Sequence, residues 1–218
     1  MNVRPITKED YKLLLQLDIK VYPTDNPVSS EILDQWFQNN PEFGMIFEEN
    51  TEVKGMLIII PLTKDGWTKL INGNLAEADL NGDVIFNIER DNAIGLHGYH
   101  MEKLDPNMKQ FYNVAFKALA NIIDNLKSSK PNLEVCGFSG LCVTSDGINL
   151  CYNKFNCRER DYLCSEHILK KGDELIIVDT EKSEDVKSKL DQGYQYVNRC
   201  KMLVTFPEEI SIVWRYFN

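Results

Sequence analysis

Apolar positions along this chain switch between two spacings. Val3 and Ile6 mark a short strand over residues 2–6, and Pro5 places it at a sheet edge. Thr7 stands three residues before Asp10, close to capping-box spacing. Tyr11, Leu14, Leu15, Asp18 and Ile19 then recur at helical intervals, which predicts a helix over 8–21. Pro23 and Pro27 break the chain. Ser30 opens a second helix with Ile32, Leu33, Trp36 and Phe37 on one side, and Asn39-Asn40-Pro41 ends it. Two strands follow, over 43–48 and 53–62, joined by the polar hairpin loop Glu49-Asn50-Thr51-Glu52.

Residues 66–91 are poorly patterned, with turn signals at Asn72-Gly73 and Asn81-Gly82-Asp83 and one candidate strand over 84–88. A strand over 94–104 leads into a helix over 113–127, a strand over 133–143 and a helix over 145–155 capped by Thr144 or Ser145. Beyond it, 159–164 and 175–179 read as strands and 183–192 as a helix stopped by Gly193. The last elements are strands over 194–206 and 210–217 around Pro207. No repeat, low-complexity tract or linker interrupts the series. This order predicts a mixed α/β class with helices around one sheet.

Composition narrows the function classes. At 218 residues the chain suits one large domain with a sizeable core. No apolar run approaches the ~18 residues of a membrane span, and the N-terminus has no apolar leader, so the expected location is cytoplasmic and no membrane partner is expected. The net charge of −9 argues against a nucleic-acid partner, which needs a basic patch. Five of the six cysteines lie between Cys136 and Cys164, without zinc-type spacing. They read as reduced, buried thiols, with no metal expected; a metal or redox module among them is a further reading.

The stretch from His100 to Leu119 carries the candidate chemistry. Asp105-Pro106 turns the chain out of a strand, and Val114, Ala118, Leu119, Ile122, Ile123 and Leu126 begin a helix. Strand, turn and helix N-terminus in that order form an anion site, because the first helical amides are unpaired and the dipole favours phosphate. Within it, Gln110-Phe111-Tyr112-Asn113-Val114-Ala115 resembles the Q/R-x-x-G-x-G/A loop of the GCN5-related N-acetyltransferases (GNAT). Asn113 stands at the motif's first glycine and Ala115 at its G/A position. Val3-Arg4-Pro5-Ile6 is similar to the family's opening strand, and Val53-Lys54-Gly55-Met56-Leu57 to its hairpin. Leu150-Cys151-Tyr152-Asn153-Lys154-Phe155-Asn156-Cys157 resembles its L/F-Y-x-K-x-G-F segment, with Asn156 at the glycine. Asparagine at either glycine position keeps a residue tolerant of left-handed backbone.

The resemblance covers about residues 2–165, with 166–218 as a β-rich C-terminal extension of a single acyl-CoA N-acyltransferase-like domain. It implies a largely antiparallel central sheet flanked by helices. It implies an N-acetyltransferase using acetyl-CoA as cosubstrate and a small-molecule or peptide amine as acceptor, by direct attack. A homodimer is compatible with it. The alternative is a non-catalytic protein of this fold that binds acyl-CoA or a protein partner.

By the same resemblance, Leu104, Gln110, Phe111, Tyr112, Asn113, Val114, Ala115 and Ser145 would hold the coenzyme. Tyr152 would protonate the departing thiolate, since a phenol of pKa near ~10 is protonated at neutral pH. For the base, alternation along 94–104 places Glu102 and His100 on one face with Gly98, Glu102 preferred and His97 opposite. The acceptor pocket would lie near 22–30 and 66–91, where Glu77, Asp79, Asp83, Glu89 and Asp91 offer carboxylates to a cation.

Overall fold

The computed structural model describes residues 1–21, 27–159, 166–179 and 183–209. Strand β1 (Asn2–Pro5) leads through a 3-10 turn into helix α1 (Tyr11–Val21). The expected capping interaction forms there: the Thr7 N–H donates to Asp10 Oδ2 at 2.8 Å, and Arg4 grips the same carboxylate at 2.7 and 2.8 Å. Helix α2 (Ser30–Phe37) starts at Ser29, whose hydroxyl accepts the Ile32 N–H. Strands β2 (Gly44–Glu49) and β3 (Glu52–Thr63) make the hairpin, with Asn50 and Thr51 in left-handed backbone at its tip. Then come α3 (Lys64–Ile71), β4 (Ala93–Lys103), α4 (Phe111–Ser129), β5 (Glu134–Cys142) and α5 (Ser145–Lys154). The C-terminal part holds β6 (Arg158–Glu159), β7 (Glu166–Lys171), β8 (Glu174–Asp179), α6 (Ser183–Asp191), β9 (Gln195–Arg199) and β10 (Lys201–Thr205). Among the described residues no helix is long and apolar enough to cross a membrane.

Seven strands form one sheet in the order β1-β2-β3-β4-β5-β10-β6, and β8-β7-β9 form a second. In the large sheet β4 and β5 are parallel and the other pairings antiparallel. Both faces are covered. Leu57 and Ile59 of β3 join Phe111, Ala115, Phe116, Leu119 and Phe155 on the side of α4 and α5. Ile58 and Ile60 join Leu14, Leu33, Trp36 and Trp67 on the side of α1 to α3. Two-sided burial explains the unbroken apolar run from Met56 to Ile60, where a one-sided strand would alternate.

The fold class is therefore the expected one: mixed α/β, with a largely antiparallel sheet flanked by helices. Four elements differ from expectation, the first being β7, which forms where no strand was read and centres a second sheet. Residues 64–71 form a helix, capped by the Thr63 hydroxyl accepting from the Gly66 N–H, in a region read as irregular. Residues 84–88 are not a strand; a 3-10 turn occupies Gly82–Val84, and Ile85 makes a single bridge to Leu62. The run 194–206 splits at Cys200, β9 joining the small sheet and β10 inserting between β5 and β6. Of the strand expected over 159–164, Glu159 pairs in β6 and the rest lies outside the described residues, as does 210–217.

Candidate active-site cleft

The parallel pair β4 and β5 is joined through α4, and its register runs from Ala93↔Glu134 to Gly98↔Gly140. Beyond Gly98 and Gly140 the two strands part. Strand β4 stays with β3 as far as Lys103, and β5 stays with β10 as far as Cys142. The parting coincides with a β-bulge: Ile58 faces His100 and Ile59 faces Gly98, so Tyr99 is the extra residue. A bulge bends its strand and increases its twist, which turns the end of β4 away from β5. The Tyr99 ring meets Trp36 edge-on at 4.8 Å, and its hydroxyl donates to Asp18 Oδ1 at 2.9 Å.

The gap is a cavity of about 700 Å³, within the range of small-molecule and cofactor sites. Its walls are Gly98 to Lys103, Gly140 to Thr144, the start of α4 and the inner face of α5, with Val21 at the rim. The cavity lies at the carboxyl ends of the parallel pair β4 and β5. Two helix N-termini reach it, through Gln110 to Tyr112 of α4 and through Thr144, Asp146 and Gly147 of α5. Their first amides have no intrahelical partner and favour an anion. Lys103 adds a positive charge to the lining.

The turn before α4 is built locally. Asp105 Oδ1 accepts the Asn107 N–H at 2.9 Å, and the Met108 N–H reaches Asp105 O at 3.0 Å. Gln110 adopts left-handed backbone (φ 56°) as the residue before the helix. Asn113, at the glycine position of the loop, is helical; its side-chain amide donates to Gln110 Oε1 at 3.0 Å. Asn156, at the other glycine position, does take left-handed backbone (φ 52°) just after α5.

The expected coenzyme residues divide. Gln110, Phe111 and Tyr112 line the cavity. Ala115 is fully buried in the core beside α4, and Val114 packs at its margin. Leu104 packs at the margin of the opposite core, and its N–H donates to Lys54 O at 2.9 Å. Ser145 is exposed at the first position of α5, while Thr144 is the cap whose hydroxyl accepts the Gly147 N–H. Tyr152 is half-buried on α5 against the core; the cavity is lined there by Leu150 and Cys151.

The bulge corrects the face assigned to the acid–base candidates. His100 and Glu102 oppose Ile58 and Met56 on the α1–α3 side, whereas Gly98 opposes Ile59 on the α4 side. His100 and Glu102 line the cleft, with His100 Nε2 3.9 Å from Glu102 Oε2. Burial lowers the His100 pKa to about 4, and His100 Nε2 has no hydrogen-bond partner among the described residues. Burial raises the Glu102 pKa, with Lys20 acting weakly against it. Asp18 was not expected as a site residue, yet it is buried beside His100 and Tyr99 in a small neighbouring cavity. Burial pushes its pKa up to about 6, opposed by the Tyr99 hydrogen bond, and its Oδ2 is unpartnered. The sequence signal was present: Asp18 is the one acidic residue on the apolar stripe of its helix.

His97, Glu77 and Asp91 have other work. His97 is fully buried; its Nε2 donates to Glu77 Oε1 at 2.5 Å, and its Nδ1 meets Ser139 Oγ at 2.9 Å. Asp91 pairs with Arg90 and accepts the Asn87 N–H. None of 66–91 lines either of these two cavities; of 22–30, residues 27–30 are described, and among them Val28 touches the smaller cavity. No disulfide joins the five described cysteines to one another, and no group of three or more ligating side chains suited to a metal occurs among the described residues.

No protein-family model matches this chain, and no curated protein matches it. Solved structures do. Naa50 of Arabidopsis thaliana, in complex with the bisubstrate analogue CoA-Ac-MVNAL, is 11% identical with a TM-score of 0.49, over 94% of this chain and 97% of that one. NAA60 of the same plant, in complex with acetyl-CoA, is 15% identical with a TM-score of 0.48, over 95% and 98%. Naa20 of Chaetomium thermophilum, with a bisubstrate analogue, is 9% identical with a TM-score of 0.48, over 97% and 90%. The architecture itself, a largely antiparallel seven-stranded sheet flanked by helices with β4 and β5 parted, is read from this chain's own strand order and register.

Proposed function

We propose that this chain is a single acyl-CoA N-acyltransferase-like domain that moves an acetyl group from acetyl-CoA to an amine. The supporting observation is the parting of β4 and β5 beyond Gly98 and Gly140, which opens a cleft onto two helix N-termini. Each parted edge carries backbone N–H and C=O groups released from the ladder, which are obligatory hydrogen-bonding groups. A pantetheine arm, with its spaced amides, satisfies them as an added strand would. The pyrophosphate then meets the amides of Phe111 and Tyr112, and Lys103 offsets its charge.

Direct attack requires a deprotonated amine, donors for the tetrahedral oxyanion and a proton for the departing thiolate. Glu102 is the proposed base, because its raised pKa makes it a better proton acceptor than an ordinary surface carboxylate. His100, neutral over most of the physiological range, orients the site by offering Nε2 as an acceptor. Backbone amides of β4 beyond the bulge supply the oxyanion donors. Tyr152 is proposed as proton donor on the resemblance alone. The acceptor is a small-molecule or peptide amine.

Calorimetric titration with acetyl-CoA tests the reading. Micromolar binding is expected, and Val143→Trp, which fills the cleft from its lining, abolishes it. Absence of heat up to millimolar coenzyme overturns it. Binding without acetylation of any amine in a broad panel favours the non-catalytic alternative. With an acceptor in hand, Tyr152→Phe is expected to lower turnover while leaving coenzyme affinity unchanged; an unaltered turnover number removes Tyr152 from the mechanism.

A further inference from the structure

The cleft wall holds a second kind of chemistry. Cys142 ends β5 just past the point where it leaves β4, and Cys151 lies one helical stretch later on α5. Their sulfurs are 3.5 Å apart, and both residues line the cleft. Cys136, Cys157 and Cys200 are also buried, but none of them lines it. We infer that Cys142 and Cys151 form an oxidisable dithiol, a modification site for hydroperoxides that closes to an intramolecular disulfide.

A disulfide needs its sulfurs at about 2.05 Å, so the pair must close by roughly 1.5 Å. Reactivity falls on Cys151. The contact with Cys142 lowers the Cys151 pKa, while that contact and burial raise the Cys142 pKa. The Cys151 thiolate attacks the distal oxygen of hydrogen peroxide; an S–O bond forms, the O–O bond breaks and hydroxide leaves, giving a sulfenic acid. Cys142 sulfur then attacks Cys151 sulfur, the S–O bond breaks, and the thiol proton leaves with hydroxide as water. Two thiols lose two electrons and one peroxide is reduced to two waters. This chemistry stands whether or not the cleft takes an acyl-CoA.

The test uses the purified full chain, treated with stoichiometric hydrogen peroxide, alkylated and analysed by mass spectrometry. Cleavage on the N-terminal side of Asp146 separates the two cysteines. The expected product is one cross-link between Cys142 and Cys151, reversed by dithiothreitol. Cys142→Ser is expected to leave a sulfenic acid on Cys151 that dimedone traps, and Cys151→Ser to abolish both link and trapping. Far-UV circular dichroism verifies that each variant is folded. Full alkylation of both thiols after peroxide, or oxidation spread equally over Cys136 and Cys200, overturns the proposal. Saturating acetyl-CoA is expected to slow the link. A link that forms at an unchanged rate upholds the dithiol and counts against coenzyme in the cleft.

Discussion

Only Gly98 and Tyr99 separate His97 from His100 on β4, yet the two imidazoles sit in opposite circumstances. His97 lies where β4 and β5 are still paired, and both its ring nitrogens are engaged, by Ser139 and Glu77. Ser139 also accepts from Trp67 Nε1 at 2.9 Å, so three buried side chains and the partly buried Glu77 satisfy one another. His100 lies past the bulge, lines the cleft and keeps Nε2 unpartnered, as Asp18 keeps Oδ2. Buried polar groups are ordinarily hydrogen-bonded, and each exception calls for a reason. The closed half of the strand pair is a structural clamp. In the open half, unsatisfied atoms border a cavity, the arrangement expected of a site that waits for a ligand.

The difference is broken most severely by crowding the closed half. A Cβ on Gly95 would lie 2.2 Å from Trp67 Cγ, and one on Gly137 would lie 2.5 Å from both Thr205 O and Trp67 Cη2. The Trp67 ring therefore lies over two glycines that neighbour each other across β4 and β5. Gly95→Ala is expected to cost about 3 kcal/mol through overpacking, read from the urea midpoint. A cost below about 0.5 kcal/mol would mean that Trp67 is free to move and is not a clamp.

The next largest effect sharpens the contrast from the open half. Because the folded-state pKa of Asp18 is raised to about 6, its burial is tolerated when it is protonated and opposes folding once pH rises through that value. Asp18→Asn keeps an acceptor for Tyr99 and removes the charge. It is expected to stabilise the fold by on the order of 2 kcal/mol at pH 8 and to leave it unchanged near pH 3.5, where the carboxyl is protonated in the folded state. Equal stabilisation at both pH values would show that charge burial is not the cause. The smallest effect concerns the mouth of the cleft. Lys103→Glu, on an exposed residue, is expected to weaken acetyl-CoA binding about fivefold, roughly 1 kcal/mol. Unchanged affinity would remove Lys103 from the phosphate contacts.

Local pattern carried most of the elements. The two early helices, the β2–β3 hairpin, the strand into α4 and the cap at Thr144 follow from apolar period and capping chemistry, because these act within one or two turns of chain. The loop at Gln110 to Tyr112 was legible too, since strand, Asp-Pro turn and helix start are written consecutively. What was missed has distant causes. Helix α3 hides in 66–91 because Trp67, Leu70 and Ile71 give it two turns of apolar face and no more. The split at Cys200 depends on β10 finding β5, some sixty residues earlier.

The sequence by itself determined most of the elements, the strand through Met56 to Ile60 and the helix start after Asp105-Pro106, since period, capping and helix termini are near-neighbour physics. Tertiary structure decided the rest. The bulge at Tyr99 leaves no mark in the sequence, because every residue from Gly98 to Glu102 fits a strand; it exists because Trp36 and Asp18, from two other helices, hold the tyrosine on their side of the sheet. That one extra residue turns His100 and Glu102 to the other face and accompanies the opening between β4 and β5. It also makes the end of β5, and so the Cys142–Cys151 contact, part of a cleft wall. Which polar atoms stay unsatisfied is settled by packing between segments far apart in the chain, and no reading of neighbours along the chain reaches it.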